Sequence, residues 1–106
     1  MVLLDLINDE DITDIKITAH DDVRIKYKDG VISRVDVSDF STKEEYESFV
    51  GNMLREKRGI MLKDAVSERF FDNTPESCIL KVVVSGAMIT LGEIYVHIRK
   101  LPKIGE

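Results

Sequence analysis

The stretch Val23-Arg-Ile-Lys-Tyr-Lys-Asp-Gly-Val-Ile-Ser-Arg-Val-Asp-Val37 contains the clearest fold signal in the chain. Apolar and charged residues alternate on both sides of an Asp-Gly pair, which predicts two strands joined by a tight turn. A two-residue loop would place Ile25 opposite Arg34, whereas a three-residue loop places it opposite Ser33 and keeps the apolar residues on one face. We therefore predict a type I turn with a bulge and with Gly30 at positive φ. The predicted pairs are Val23 with Val35, Ile25 with Ser33 and Tyr27 with Val31.

Four further segments have the pattern of strands, which makes six in all. Residues 13–18 alternate between isoleucines and polar residues, as expected for a strand with one buried face. Residues 78–85 are almost entirely apolar, which predicts a central strand covered on both faces. Residues 65–71 predict another strand, and residues 93–100 predict the last one. In this last strand one face carries Ile94, Val96 and Ile98, and the other carries Glu93, Tyr95, His97 and Arg99.

One long helix is predicted over residues 42–58, with short helical segments over residues 2–8 and 60–64. A capping box begins the long helix, either Ser41 with Glu44 or Thr42 with Glu45, and Gly59 ends it in the left-handed conformation. Its apolar stripe consists of Tyr46, Phe49, Val50, Met53 and Leu54. At 106 residues the chain suits one domain, 1–106, because it is too short for two cores. The predicted class is α+β.

Composition excludes several classes of protein. A formal net charge of −5 argues against a general nucleic-acid-binding protein, since such domains are usually basic. The longest uncharged run, residues 82–92, is shorter than the ~20 apolar residues of a membrane span. The opening Met1-Val-Leu-Leu-Asp5 has no basic region typical of a signal peptide. A single cysteine, Cys78, excludes an internal disulfide and suits a reducing cytosol.

No enzyme motif is found. The chain contains no G-x-x-x-x-G-K-[ST], no G-x-S-x-G and no H-E-x-x-H, so we predict that it is not catalytic. His20 beside Asp21 and Asp22 could suggest a metal site, but adjacent residues on a turn seldom converge on one ion. We interpret them as a solvated loop and predict no metal. Cys78 is interpreted as a buried core thiol rather than a nucleophile.

The polar face of the last strand carries the most interesting chemistry. Arg99 shares it with His97 and Tyr95, and Lys100 follows at the strand's end. The planar fork of arginine suits a phosphate or a carboxylate. The alternative is an exposed strand face with ordinary surface cations, which the residues alone favour.

Four segments in order and spacing resemble the N-terminal domain of secretion-traffic ATPases. They are Ile12-Thr-Asp-Ile-Lys-Ile17, Asp22 to Gly30, the capped helix Glu44–Leu54 and Ile98-Arg-Lys-Leu-Pro102. These ATPases drive type IV secretion, conjugation, tight-adherence pili and type II secretion. The resemblance implies a PAS-like antiparallel sheet covered by helices, followed in the whole protein by a RecA-like motor domain in a six-subunit ring. It also implies a cytoplasmic protein, peripheral at the inner face of the membrane.

The resemblance assigns phosphate contacts to three residues. Arg99 falls on the family's Ile-Arg-Lys arginine, and Lys100 follows as a weaker candidate. Lys81 lies in Leu80-Lys-Val-Val-Val-Ser-Gly86, where the family often has Arg-Val-Asn and a proline pair, so its role is open. The chain itself would hold no cofactor, and ATP with Mg²⁺ would bind the full-length protein.

The expected partners are the motor domain, neighbouring subunits and inner-membrane secretion components, without nucleic acid or a transmembrane segment. A free-standing interaction module of α+β fold is the alternative; it would bind a partner along a strand edge or through helix 42–58.

Overall fold

A single antiparallel sheet of six strands forms the centre of the computed structural model, which describes residues 2–103. Met1 and residues 104–106 of the predicted domain lie outside that range. The strands are β1 (Ile12–Ala19), β2 (Asp22–Tyr27), β3 (Ile32–Val35), β4 (Ser67–Asp72), β5 (Cys78–Ser85) and β6 (Tyr95–Pro102). Their order across the sheet is β3-β2-β1-β6-β5-β4, so the first and last strands are neighbours. This confirms the predicted α+β class with six strands.

Three helices accompany the sheet: α1 (Val2–Asn8), α2 (Lys43–Arg58) and α3 (Ala87–Thr90). Short 3-10 turns cover Ser38–Phe40 and Leu62–Asp64. The described part of the chain contains no helix with the length and apolar character needed to cross a bilayer.

The hairpin between β2 and β3 has the predicted register. Val23 lies opposite Val35, and Ile25 lies opposite Ser33. The N–H of Tyr27 donates to the carbonyl oxygen of Val31 at 2.9 Å, which closes the three-residue loop. Gly30 has a φ of +90°, a backbone conformation that side chains disfavour.

The predicted ends of α2 are also confirmed. Of the two predicted pairs, Thr42 with Glu45 begins the helix, because Thr42 is the N-cap and its Oγ1 accepts from the Glu45 N–H at 3.1 Å. Gly59 has a φ of +68°, and its N–H donates to the Arg55 carbonyl at 3.1 Å.

The hydrophobic core lies between one face of the sheet and the helices α1 and α2. Along β5, residues alternate strictly between buried and half-buried, so only one face of this strand is fully covered. The prediction that both faces of this strand are covered was therefore wrong. β5 lies between β6 and the edge strand β4, and its valines reflect the preference of valine for strands rather than burial on both faces. The other core residues include Leu3, Ile15, Ile17, Val23, Ile25, Tyr46, Val50, Leu54, Val96 and Ile98.

Polar contacts fix α2 over the sheet. Buried Tyr46 donates its hydroxyl to the carbonyl oxygen of Ile94 at 2.6 Å. At the other end of the helix, Lys57 pairs with Asp72 of β4 at 3.3 Å. Because α2 and α1 lie on the same side, neither of them covers the opposite face of the sheet.

Candidate functional site

The uncovered face of the sheet carries two rows of side chains that cross all six strands. Directly opposed positions define the first row as Arg34, Arg24, Lys16, His97, Val83 and Arg69. The second row is Ile32, Lys26, Asp14, Arg99, Lys81 and Phe71. We call these twelve positions the basic face. It contains seven of the chain's 15 lysines and arginines but one carboxylate, so the rest of the chain is more acidic than its net charge suggests.

Asp14 is the buried centre of the basic face, with 4% of its surface exposed. Its Oδ1 accepts from the Thr13 hydroxyl at 2.7 Å, and its Oδ2 lies 2.7 Å from Nε2 of His97. Burial tends to raise the pKa of Asp14, but the hydrogen bonds from Thr13 and His97 and the charges of His97 and Arg99 outweigh it. The net pKa lies below the ordinary value of 3.8, so this residue remains a carboxylate at neutral pH.

Arg99 is anchored on one side and open on the other. Its Nε lies 3.6 Å from Oδ2 of Asp14, while 57% of the side chain is exposed. Within residues 2–103 no hydrogen bond engages the guanidinium. The guanidinium therefore lies beside the Asp14 carboxylate and remains accessible to an anion from solvent.

Lys81 lies directly opposite Arg99 on β5. Among the residues that the structure describes, no carboxylate lies within ion-pair distance of its ammonium. Like charges at directly opposed positions of a sheet destabilise it, and a bound anion would relieve that repulsion. Two of the three predicted site residues, Arg99 and Lys81, are thus brought together on one face.

Lys100, the third predicted site residue, points to the other face. Its ammonium donates to the carbonyl oxygens of Leu6 at 2.8 Å and of Asp9 at 2.6 Å, where α1 ends. Burial lowers the pKa of Lys100. The cleft beside it has a volume of about 370 Å³ and is lined by Asp9 and Glu10 as well as by Lys28 and Lys100, so its charges balance and give no preference for phosphate. The structure therefore separates Lys100 from the Arg99–Lys81 pair.

The remaining chemical candidates are internally satisfied. Cys78 is 7% exposed and belongs to the core, as predicted. Nδ1 of His20 lies 2.9 Å from Oε1 of Glu93, and the His20 N–H donates to the same oxygen at 3.1 Å. Ligand atoms of His20, Asp21 and Glu93 lie within 4.8 Å of one another, so in the described part of the chain Glu93, rather than Asp22, joins His20 and Asp21. The hydrogen bond to Glu93 raises the pKa of His20.

Sequence reasoning missed most of the basic face. It identified Arg99, His97 and Tyr95 as neighbours because they alternate along one strand. It did not identify Asp14 as their partner, since β1 and β6 are separated by most of the chain. The alternation within each strand was visible, but no local signal specifies which strands become neighbours.

Comparison with known proteins assigns no family. No family model matches the chain, and no curated protein matches its sequence.

Proposed function

We propose that this chain is the non-catalytic N-terminal domain of a hexameric secretion or conjugation ATPase, contributing to ring assembly and to the nucleotide cleft. The supporting observation is the direct opposition of Arg99 and Lys81 on the uncovered face of the sheet. In this proposal the protein is cytoplasmic and peripheral at the inner face of the membrane. Its partners are a RecA-like motor domain, neighbouring subunits and inner-membrane secretion components, and the whole protein binds ATP and Mg²⁺.

The chemistry of the proposed contact follows from the two cations. The guanidinium of Arg99 presents a planar fork suited to two phosphate oxygens, and Lys81 adds a point charge beside it. Asp14 lies on the other side of the guanidinium, 3.6 Å from Nε, and an ion pair there would limit the conformational entropy lost when the anion arrives. Phosphates held by the motor domain would thus favour the closed arrangement of the two domains through a contact absent from the open one.

Lys100 has a different role in this proposal. Because its ammonium holds the end of α1, it supports the fold and does not contact the nucleotide. This replaces the expectation that Lys100 is a second phosphate ligand.

Kinetics of the full-length protein test the proposal. The natural reading frame beyond Glu106 should first encode a G-x-x-x-x-G-K-[ST] motif. Arg99→Ala should then lower ATP turnover about tenfold or more, and Lys81→Ala should lower it less. Arg69→Ala is the matched control, because it removes an exposed cation of the same face that is not adjacent to Arg99. Unchanged turnover in the Arg99 variant would exclude this residue from the nucleotide cleft.

A free-standing interaction module is the second candidate, and one observation favours it. Met88, Ile89 and Leu91, in the connection between β5 and β6, are 82%, 57% and 90% exposed. Leu91 also has a φ of +58°, which is strained for a residue with a side chain. An apolar residue held in a strained conformation at the surface is typical of a contact point for a partner.

Site-specific photo-crosslinking in cells tests this second candidate. A photoreactive residue at position 91 should give one discrete protein adduct, and the same residue at exposed position 76 should give none. An adduct with an adjoining motor domain would assign this apolar tip to the first proposal instead. The absence of an adduct at position 91 would contradict the module.

A further inference from the structure

The basic face is larger than one nucleotide requires. Neighbouring strands lie ~4.8 Å apart, so each row is ~24 Å long across six strands. The proposed nucleotide contact uses only Arg99 and Lys81. Five further cations on the same face have no role in it: Arg34, Arg24, Lys16, Lys26 and Arg69.

We propose that the basic face binds single-stranded nucleic acid, with the phosphate backbone following the first row. A basic surface concentrated on one face is the electrostatic footprint of such a binder, whatever the net charge of the chain. The prediction against a nucleic-acid partner was based on the net charge, which sums this face with a strongly acidic remainder. Charge distribution, rather than total charge, is therefore the relevant property.

The positive charges of the first row are only partly neutralised by carboxylates of the chain itself. Nε of Arg24 lies 3.3 Å from Asp22, and Nε of Arg34 lies 3.5 Å from the same carboxylate oxygen. Two guanidinium groups thus share one carboxylate, and both side chains are more than half exposed. Lys16 and Arg69 have no carboxylate within ion-pair distance in the described range 2–103.

Repulsion within the row also indicates a bound anion. Arg24 lies directly opposite Arg34 on one side and Lys16 on the other. A run of like charges at opposed positions costs stability, because a sheet is stabilised by complementary cross-strand pairs. A phosphate backbone laid across the strands would convert these unfavourable pairs into favourable contacts.

Aromatic residues on the same face indicate unpaired bases rather than a duplex. Phe71 ends the second row beside Lys81 and is 62% exposed. Tyr95 is half-buried two residues before His97 on the same side of β6. Exposed aromatic rings on a basic sheet stack against single-stranded bases, whereas bases in a duplex are already stacked on one another. The basic face is built from strands within a six-stranded sheet, and it presents neither a helix nor a separate two-stranded ribbon to a groove.

A lipid surface fits the observations less well. The exposed apolar residues of the basic face, Ile32 and Phe71, lie at opposite ends of its second row, whereas the cluster of Met88, Ile89 and Leu91 lies in the β5–β6 connection. A membrane-binding face would combine its cations with such apolar residues at the same surface.

Fluorescence anisotropy with labelled oligothymidine and oligouridine of about 15 nucleotides tests the proposal on the purified chain. We expect binding that weakens about tenfold or more between about 50 mM and about 200 mM salt, because each neutralised phosphate contributes about −0.7 to the salt slope. The double variant Lys16→Glu with Arg24→Glu should weaken binding about tenfold or more at low salt. Phe71→Ala should weaken it with little change in the salt slope, since stacking releases no counterions.

The matched control is Lys43→Glu with Lys63→Glu, which makes the same charge change at exposed positions outside the basic face. Far-UV circular dichroism and thermal unfolding verify that every variant is folded. Equal weakening by the control pair, equal affinity for a duplex, or no oligonucleotide binding at low salt would each overturn the proposal. So would binding to anionic phospholipid vesicles or self-association in place of oligonucleotide binding.

The two proposals can fail separately. The oligonucleotide experiment changes Lys16, Arg24 and Phe71, and none of these residues belongs to the proposed nucleotide contact of Arg99 and Lys81. Loss of oligonucleotide binding with normal ATP turnover supports this inference alone, and slow turnover in the Arg99 variant supports the nucleotide proposal alone.

Discussion

Oδ2 of Asp14 lies 2.7 Å from Nε2 of His97, so a carboxylate of the first strand contacts an imidazole of the last strand. The same oxygen is 3.6 Å from Nε of Arg99. One nearly buried carboxylate therefore organises the centre of an otherwise cationic surface. Its charge matters for stability as well as for the position of Arg99.

Replacing Asp14 with asparagine should make stability less dependent on pH in the acid range. The pKa of Asp14 is lowered on folding, so its contribution is complete above the ordinary value of 3.8 and is lost as pH falls through the folded value. At pH 7 we expect Asp14→Asn to cost about 1–3 kcal/mol, because the negative charge is lost and an amide NH2 replaces one of the two oxygens that contact Thr13 and His97. Urea unfolding at several pH values should show this difference shrinking below pH ~4. Glu10→Gln, at an exposed carboxylate, should not reproduce that pattern.

Lys100 and Arg99 should differ sharply in their effect on folding. Lys100→Met should lower the free energy of unfolding by about 1–2 kcal/mol, because the carbonyls of Leu6 and Asp9 lose their donor. Arg99→Met should change it by less than about 0.5 kcal/mol, since the side chain is mainly exposed. Thermal or urea unfolding of the isolated chain measures both. Comparable losses would show that Arg99 is chiefly structural.

The hydroxyl of Tyr46 should contribute measurably to stability. It donates to the Ile94 carbonyl at 2.6 Å in a fully buried position, and burial raises its pKa. Tyr46→Phe leaves that carbonyl unpaired, which should cost about 1–2 kcal/mol in urea unfolding. Tyr27→Phe is the control, because the Tyr27 hydroxyl has no hydrogen bond within residues 2–103. The hydrogen bond would be unimportant if the two variants unfolded at the same urea concentration.

Two glycines should respond oppositely to alanine. A Cβ on Gly86 would lie 2.1 Å from the carbonyl oxygen of Ala65, so Gly86→Ala should cost at least about 2 kcal/mol. A Cβ on Gly51 within α2 would lie 3.7 Å from Cβ of Leu62, an ordinary contact. Gly51→Ala should therefore raise stability by up to about 1 kcal/mol through helix propensity. Differential scanning calorimetry should show one midpoint falling and the other rising.

Leu91→Gly should stabilise the chain. Leu91 adopts a φ of +58° while 90% exposed, so glycine relieves strain without removing core packing. We expect a gain of about 0.5–1 kcal/mol, reduced in part by the greater flexibility of glycine in the unfolded state. Urea unfolding measures this gain, and Met88→Gly, in the helical turn of α3, should instead destabilise. A loss of stability in the Leu91 variant would show that its side chain packs in solution.

Features that depend on nearby residues were predictable from the sequence. The β2–β3 register, the positive φ of Gly30 and both ends of α2 follow from contacts within a few residues. The β6 boundaries were less accurate, because Glu93 and Ile94 precede the strand, which extends to Pro102. The prediction that both faces of β5 are covered was wrong, because an apolar run indicates a preference for strand and does not specify how many faces are covered.

The candidate site was predicted only in part. Alternation along β6 correctly placed Arg99 with His97, and it also implies that Lys100 faces the opposite way. The opposition of Arg99 and Lys81, and the contact of both His97 and Arg99 with Asp14, required pairing between strands distant in the chain. The hydrogen bond between His20 and Glu93 spans 73 residues and had no local signal.

The amino-acid sequence alone determined the strand and helix segments and the hairpin, because these depend on local backbone preference. It also determined on which face of its strand each cation lies, because side chains alternate along a strand. Only the tertiary structure decided that β1 pairs with β6 and that the cations of six strands share one surface. The physical reason is that burial of the apolar residues beneath α1 and α2 orients every strand at once. The charged residues are thereby assembled on the face that the helices leave uncovered.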